Sequence, residues 1–223
     1  MVITLLSDFG DVYPSSMKGV ILGINPDANI VDISHAIPRH DIHTGAFVLM
    51  TCAIYFPTCT VHIAVVDPGV GTNRRPIAAM AQSHHGDIQY FIGPDNGLLI
   101  PAARSIGKLQ VYEITNRDFF RTMPSQTFHG RDIFAPVGAH ISKGVGLEDV
   151  GVEIFDFIDL DFGDILEIEG IRVPFLKSYG FCKDGEPLAL IGSHSYLEIA
   201  INQGNAARFF RKKIGNELIV IKK

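Results

Sequence analysis

Short apolar runs alternate with helix-like segments along the first 151 residues, and this alternation constrains the fold more than any other feature. Runs of strand length occur at residues 2–7, 29–34 and 60–67. Residues 15–28 and 44–56, which lie between them, have the apolar spacing and composition of helices. Strands that alternate with helices predict an α/β domain with a central, largely parallel sheet.

The remainder of this region continues the pattern. IAAMA, IQYFI and LQVYEI predict three more strands, and the segment from Asp132 to Gly144 predicts a helix. Thr44 is the predicted N-cap of the helix over residues 44–56, because a threonine oxygen can accept from an unpaired N–H in the first turn.

The pattern changes after Gly151, where short strand-like runs follow one another between Gly, Asp and Asn residues. These runs are DILEIEG, IRVPFL, EPLALIGS, YLEIAIN and ELIVIKK. They predict a small all-β domain, barrel-like and antiparallel, at the C-terminal end. The expected organisation is an α/β domain over residues 1–151, a linker over 152–163 and the β domain over 164–223.

Composition narrows the class of protein. Hydrophobic residues make up 47% of the chain and charged residues 19%, as in a globular protein. The net charge of −5 and the lack of a basic tract disfavour nucleic-acid binding. There is no signal-like or membrane-spanning run, and the three cysteines have no CxxC spacing. We therefore expect a cytoplasmic protein with no membrane partner.

The stretch SQTFHGRDIF at residues 125–134 places three polar side chains, His129, Arg131 and Asp132, between apolar residues. It can be a turn that leads into a helix, or one wall of an active site. A histidine titrates near neutrality, so His129 is able to hold or accept a proton from water. A packed, hydrogen-bonded histidine beside Phe128 is the simpler alternative.

Two further polar clusters follow predicted strands, where ligands bind in open α/β sheets. Asp8, which is followed by Phe9, is placed to bind a vicinal diol such as ribose, or to serve as a turn residue. The loop VVDPGVGTNRR at 65–75 brings Asp67 near Arg74 or Arg75 in sequence. A carboxylate–guanidinium pair can orient a third group, although an ordinary surface ion pair fits the same pattern.

In the second domain, Ser193 and His194 lie in a turn before a strand, where they can bind a carboxylate or a heterocycle. Tyr196 and Glu198 alternate with apolar residues along that strand, so they share a polar face, which can equally be a solvated surface. No HxxxH, HxH or DxD spacing is present, and this disfavours a metal site.

Seven stretches together resemble a known family, the S-adenosyl-L-methionine hydroxide adenosyltransferases, which share a superfamily with fluorinating and chlorinating enzymes. In chain order these stretches are SDFG, MKGVILGINP, VDISHAI, VVDPGVGTNRR, PDNGL, TFHGRDIFAP and GSHSYLEIAIN. The resemblance implies that S-adenosylmethionine and water are converted to adenosine and methionine without a metal or cofactor. It also implies that Asp67, Arg74 and His129 handle the water, with Asp67 favouring water over halide.

The resemblance also assigns substrate contacts. It places the ribose on Asp8, and it makes Phe128 a wall of the pocket and His40 the residue at a position that usually stacks on adenosine. It places the methionine carboxylate on Ser193 and His194, where some relatives carry arginine. Further residues assigned to the substrate site are Phe9, Tyr196 and Glu198, together with Asp161. Asp161 begins an Asp-Phe-Gly-Asp sequence that matches the family's interdomain Asp-Phe-Gly-Asn motif, within a shorter linker.

The resemblance implies a homotrimer whose pockets lie between the first domain of one subunit and the second domain of its neighbour. Three other functions remain open from the residues alone. They are a halide-using relative that forms a 5′-halo-adenosine, a non-catalytic module that binds S-adenosylmethionine or adenosine, and a metal-dependent hydrolase.

Overall fold

A computed structural model of the protein describes residues 1–160, 165–194 and 196–222. The chain divides into two compact units, residues 1–160 and 161–223. In the described ranges, no helix has both the length and the apolar character that crossing a bilayer requires.

The first unit combines one large sheet with helices. Its strands are β1 Val2–Ser7, β2 Asn29–Ser34, β3 Val61–Val65, β4 Pro76–Gln82, β5 Ile88–Pro94, β6 Lys108–Ile114 and β7 Gly151–Ile154. Its α-helices are α1 Tyr13–Ile24, α2 Ile42–Ala53, α3 Ile100–Ile106, α4 Ala135–Ile141 and α5 Leu147–Val150.

The sheet has seven strands in the order β2-β1-β3-β5-β4-β6-β7. The pairs β1–β2, β1–β3 and β3–β5 are parallel, whereas β4 is antiparallel to both of its neighbours and β7 is antiparallel to β6. Strands β1, β2, β3, β5 and β6 therefore run in the same direction. The prediction of an α/β unit with a mostly parallel sheet is confirmed.

The central strands β1 and β3 are almost entirely buried, which explains why their sequences are continuous apolar runs. Helices α1 and α4 cover one face, where Met17 and Phe134 join Ile3 and Ile63 in the main core. Gly138 of α4 allows this approach, because a Cβ there would lie 2.5 Å from Ile63 Cδ1.

Three local predictions need correction. Helix α2 begins at Ile42, and its N-cap is Asp41, whose Oδ1 accepts from the Thr44 N–H at 2.9 Å. Thr44 lies inside the first turn, where its hydroxyl also donates to Asp41. Residues 152–154, assigned to the linker from the sequence, pair with β6 as part of β7. The helix expected from Asp132 begins as a π-helical turn at Gly130–Phe134.

The second unit consists of small antiparallel sheets around its own core. Its elements are β8 Ile165–Ile168, β9 Ile171–Pro174, β10 Pro187–Ile191, β11 Leu197–Ile201, α6 Ala206–Phe209 and β12 Val220–Lys222. Strands β10 and β11 form one sheet, and β12-β8-β9 form the other. Phe175 and Ala189 form an isolated bridge. The predicted antiparallel strands agree with these sheets, but the unit also contains helix α6, and a closed barrel is not confirmed.

A polar network crosses the core of the first unit on the side of α2. His62 is fully buried, with Nδ1 2.7 Å from Thr4 Oγ1 and Nε2 3.0 Å from Gln89 Oε1. The Gln89 amide nitrogen donates to the carbonyl oxygens of Ala53 and Phe56. Gln89 Oε1 is therefore the acceptor, so Nε2 of His62 carries a proton.

Acid is expected to weaken the fold through His62. Burial lowers the pKa of His62 from its usual 6.5 to about 4, although the Gln89 hydrogen bond opposes the shift. Between these values the unfolded chain binds a proton that the folded protein does not. Neutral His62 therefore contributes to the free energy of unfolding above pH 6.5. This contribution, about 3 kcal/mol in total, is lost as the pH falls from 6.5 toward 4.

The free energy of unfolding, measured with urea between pH 7.5 and 4.5, checks this expectation. His62→Gln is expected to flatten the pH dependence, whereas His85→Gln, which changes an exposed histidine, is expected to preserve it. An unchanged slope in His62→Gln would assign the acid sensitivity to other groups.

Candidate active site

The loop after β3 folds back on itself and brings Arg74 to Asp67. Its turns are closed by Thr72, whose N–H and hydroxyl both donate to the Gly69 carbonyl and whose hydroxyl accepts from the Arg74 N–H. Arg74 Nε lies 3.1 Å from Asp67 Oδ1, and Arg74 Nη2 donates to Asp67 Oδ2. The side chains are 8% and 4% exposed, so this is a buried, two-point ion pair.

The structure also distinguishes the two neighbouring arginines. Arg75 turns away from Asp67 and pairs with Asp95 and Asp156. Only Arg74 of the two contacts Asp67, as the family resemblance implies.

A buried carboxylate organises the segment before His129. Asp132 is fully buried and accepts hydrogen bonds from Arg131, Arg121 and the Ser125 N–H. Burial alone would raise the pKa of Asp132, but the bonds from Arg131 and Ser125 hold this pKa below its usual value. These bonds close residues 121–132 into a loop that leads into the π-helical turn, a feature often found at functional sites.

His129 joins the two loops. Its Nδ1 lies 3.1 Å from Arg74 Nη2, and because a guanidinium only donates, Nδ1 must be the acceptor. Neutral His129 therefore carries its proton on Nε2. Burial lowers the pKa of His129, and the positive charge of Arg74 lowers it further, against the opposing effects of Asp67 and Asp132. The ring is thus kept neutral near pH 7.

The Arg74 guanidinium retains donors for a further group. Nε and Nη2 serve Asp67 and His129, whereas Nη1 is buried and has no hydrogen-bond partner among the described residues. A buried, unpaired guanidinium nitrogen is energetically costly in isolation. Arg74 Nη1 is therefore a donor available to a small oxygen anion, and the Nε2–H of His129 is a separate donor on the other side of the ring from the Arg74 contact.

Gly71 lets the two loops approach each other. Its φ is +76°, and a Cβ at this position would lie 2.4 Å from the Gln126 carbonyl oxygen. The close contact between residues 71 and 126 brings Arg74 within reach of His129, although these two residues are 55 positions apart in sequence. Sequence reasoning missed this glycine; its place in a Pro-Gly-Val-Gly loop was the available signal.

Asp8 lies directly after β1, and it also fixes a neighbouring loop. Its Oδ2 accepts from the His40 N–H at 2.8 Å, and His40 has a φ of +63°. His40 thus contacts Asp8 through its backbone N–H, while its side chain is exposed. Behind Asp8, Ser7 Oγ lies 2.8 Å from Nδ1 of His35, whose Nε2 lies 3.1 Å from an Asp32 carboxylate oxygen.

Aromatic side chains connect the Asp8 and His129 loops. Phe128 contacts Phe9 edge to face at 5.4 Å and Tyr13 at 5.6 Å between ring centroids. Gly130 leaves room for this packing, because a Cβ would meet Phe9 and Phe128 at 3.2 and 3.3 Å. Asp8, Phe9 and Phe128 therefore lie along the same end of the sheet as His129. Tyr13 was not predicted as a site residue.

The other predicted residues belong to the second unit. Ser193 Oγ lies 3.2 Å from Nδ1 of the adjacent His194, and both residues are exposed at the turn between β10 and β11. Tyr196 is 74% exposed, and Glu198 accepts from the Tyr179 hydroxyl at 3.0 Å. Asp161 lies outside the described residues. In the described part of the chain, no group of three or more His, Cys, Asp or Glu residues is arranged to hold a metal ion.

Two family models match nearly the whole chain. The model described as SAM hydroxide adenosyltransferase N-terminal domain matches residues 3–151, and the corresponding C-terminal domain model matches residues 154–219.

The chain is also similar to individual proteins along nearly its whole length. A protein from Salinispora tropica named (R)-S-adenosyl-L-methionine hydrolase is 44% identical over 258 aligned positions, covering 98% of this chain and 97% of that relative. A protein of the same name from Methanocaldococcus jannaschii is 35% identical, with 99% and 95% covered. The crystal structure of an uncharacterized conserved protein from Thermotoga maritima aligns with a TM-score of 0.67 and 33% identity, covering 99% of this chain and all of that one.

The alignment with the Salinispora relative also bears on length. Its 258 positions exceed the 223 residues of the chain by 35, while both chains are covered nearly end to end. At least 35 internal positions of that relative therefore have no counterpart here.

Proposed function

The chain belongs to the SAM hydroxide adenosyltransferase family, and on that premise we propose that it hydrolyses S-adenosyl-L-methionine to adenosine and L-methionine. The observation that carries the proposal is the trio of buried Asp67 and Arg74 side chains with half-buried His129, in which Arg74 Nη1 is an unpaired donor for a small oxygen nucleophile. The enzyme needs no metal or other cofactor in this scheme.

The change of charge during the reaction explains why a buried site suits it. The substrate sulfonium is a cation, so attack of hydroxide at C5′ neutralises two charges. The C5′–O bond forms as the C5′–S bond breaks, its electrons pass to sulfur, and methionine leaves as a neutral thioether. A site that excludes bulk water favours such a step. The two separate ions lose more hydration energy there than the transition state does, because their charges are already partly neutralised in the transition state.

The trio supplies the hydroxide. Arg74 Nη1 donates to the oxygen, and a positively charged donor favours hydroxide over water, so the released proton leaves to solvent. Asp67 keeps the guanidinium oriented through its two-point contact. His129 holds the guanidinium at a further point, since its Nδ1 accepts from Arg74 Nη2, and its Nε2–H remains a separate donor at the site. Placing this oxygen in line with the C5′–S bond contributes the proximity effect, up to about 7–11 kcal/mol in well-oriented systems.

The remaining residues bind the substrate. The free carboxylate oxygen of Asp8 accepts from the ribose hydroxyls, Phe9 and Phe128 form an apolar wall, and His40 lies at the stacking position. Ser193 and His194 bind the methionine carboxylate, and Tyr196, Glu198 and Asp161 are further substrate-binding residues. The small molecule is the only partner that the reaction requires, and neither nucleic acid nor a membrane takes part. Cytoplasmic localisation fits this substrate.

Incubation with S-adenosylmethionine in ¹⁸O-labelled water tests the function. We expect chromatography to show equal amounts of adenosine and methionine, with the label in the 5′-hydroxyl of adenosine. EDTA should leave the rate unchanged; loss of activity that zinc or magnesium restores would replace this proposal with a metal-dependent hydrolase. A 5′-halo-adenosine formed with added halide would identify a halide-using enzyme, and tight binding without turnover a binding module.

A homotrimer with pockets shared between subunits is part of the proposal, because the predicted ribose and carboxylate contacts belong to different units of the chain. We expect light scattering to give three times the monomer mass of 24.4 kDa. Refolding an Asp8→Ala protein together with a Ser193→Ala/His194→Ala protein should restore part of the activity, because hybrid trimers contain some intact pockets. An active monomer would exclude shared pockets.

A further inference from the structure

The turn after β5 holds both ends of the segment between Asp67 and Arg74. Asn96 Nδ2 donates to the Val66 carbonyl oxygen at 2.9 Å, directly before Asp67. The Asp95 N–H donates to the Arg75 carbonyl oxygen at 2.9 Å, directly after Arg74. Two adjacent residues of one turn thus fix the two flanks of the loop that carries the trio's ion pair.

Asp95 adds a second ion pair beside the first. Its Oδ2 accepts from Arg75 Nε at 3.0 Å and from Nη2 at 2.7 Å. The Asp95 side chain is 2% exposed, whereas that of Arg75 is 26% exposed. A buried carboxylate is tolerated only when it is paired, so Arg75 is held firmly at this position. The Asp95 ion pair therefore restrains the residue adjacent to Arg74.

The same carboxylate also binds the end of the first unit. Asp95 Oδ1 accepts from the Ile158 N–H at 2.8 Å. The Arg75 guanidinium donates from Nη1 to the Asp156 carboxylate at 2.8 Å and from Nη2 to the Asp156 carbonyl oxygen at 2.9 Å. The Asp156 side chain is 80% exposed, so its charge contributes little to the restraint of Arg75.

From these contacts we propose that Asp95 is a positioning residue, which acts through Arg75 to hold Arg74 in contact with His129. The hydrogen bonds to the Val66 and Arg75 carbonyl oxygens restrain both flanks of the loop. The buried Asp95–Arg75 ion pair keeps Arg75 from rotating, and a rotation of Arg75 would displace the adjacent Arg74. Asp95 touches neither member of the Arg74–His129 contact. Small displacements of a reacting group lower catalysis strongly, so this restraint matters for rate more than for substrate affinity.

The protonation of His129 reports on this restraint directly, without substrate. The charged groups that act on His129 are Arg74, Asp67 and Asp132, and only Arg74 contacts it. If Arg74 moves away, His129 loses a neighbouring positive charge, and the opened site is also better solvated. Both changes raise the pKa of His129.

The test is an NMR titration of the His129 ring, identified by comparison with His129→Gln, in Asp95→Asn and in two control variants. In Asp95→Asn the pKa of His129 is expected to rise by about 0.5 or more. Asp156→Asn removes the exposed carboxylate from the same arginine and is expected to change nothing. Ser142→Ala removes a buried hydrogen bond between Ser142 and Asn25 and should lower Tm without moving the pKa of His129.

Kinetics provide the second measurement, and this part rests on the proposed hydrolysis. Asp95→Asn is expected to lower kcat about tenfold or more with KM changed less than about twofold. Asp95→Glu, which keeps the charge, should recover part of the loss. A folded Asp95→Asn protein with the wild-type pKa of His129 overturns the positioning role, whether or not the enzyme hydrolyses S-adenosylmethionine. A raised pKa in a chain that hydrolyses nothing would instead leave the positioning intact and refute the proposed reaction.

Discussion

Replacing Arg74 with lysine is expected to lower kcat about 10²–10³-fold although the positive charge remains. The guanidinium contacts Asp67 at two points and His129 at a third, and Nη1 remains for the nucleophile. A single ammonium cannot serve all of these groups in the same geometry. KM for S-adenosylmethionine should change little, because in this mechanism Arg74 contacts the nucleophile and not the substrate.

Single and double variants of the trio extend this expectation. Asp67→Asn and His129→Ala should each reduce kcat by a similar factor, and the double variant should be little worse than either one, because the three side chains act as a unit. Arg117→Lys, a change of the same kind at an exposed position, serves as the control and should retain full activity. Wild-type kcat in His129→Ala or Asp67→Asn would remove that residue from the mechanism, and a lower Tm alone would indicate a structural ion pair.

Gly71→Ala is expected to damage both stability and turnover. The left-handed φ of +76° strains any residue with a Cβ, and this Cβ would overlap the Gln126 carbonyl oxygen at 2.4 Å. Backbone strain of about 1–2 kcal/mol and the clash together predict a loss of about 2–4 kcal/mol in the free energy of unfolding. The loops must separate to relieve the overlap, so the Arg74–His129 contact lengthens and kcat falls about tenfold or more.

Gly86→Ala is the matched control for this variant. Gly86 has a similar left-handed φ of +90°, but no atom lies within 4 Å of a Cβ added there. It should therefore lose only the backbone term, about 1–2 kcal/mol, and keep wild-type kcat. Equal loss of stability in the two variants with activity unaffected in both would show that the close contact between residues 71 and 126 does not set the geometry of the trio.

The elements of the fold could largely be predicted from the sequence. Strand β2 has the predicted bounds of 29–34, and the helix-like segment over residues 15–28 corresponds to α1, Tyr13–Ile24. These features depend on periodicity and on turn residues a few positions apart, which a single sequence contains. The errors are local choices between neighbours, such as Asp41 rather than Thr44 as the cap of α2, because both side chains can accept in the first turn.

The resemblance also named Asp67, Arg74 and His129 before any geometry was known. The residues alone left Arg74 and Arg75 as equivalent candidates, since both follow the same glycine-rich loop. The choice between them depends on Asp95 and Asp156, which lie 20 and 81 positions from Arg75.

The sequence by itself thus determined the alternation of strands and helices, the change to short strands after Gly151, and the residue types available for chemistry. The tertiary structure alone decided which carboxylates pair with Arg75, which nitrogen of His129 carries the proton, and how Gly71 and Asp95 bring the loops together. The physical reason is the distance along the sequence over which each interaction acts. Periodicity and capping act within a few residues, whereas a buried ion pair and the tautomer of a histidine depend on partners that only the packed sheet and its loops place in contact.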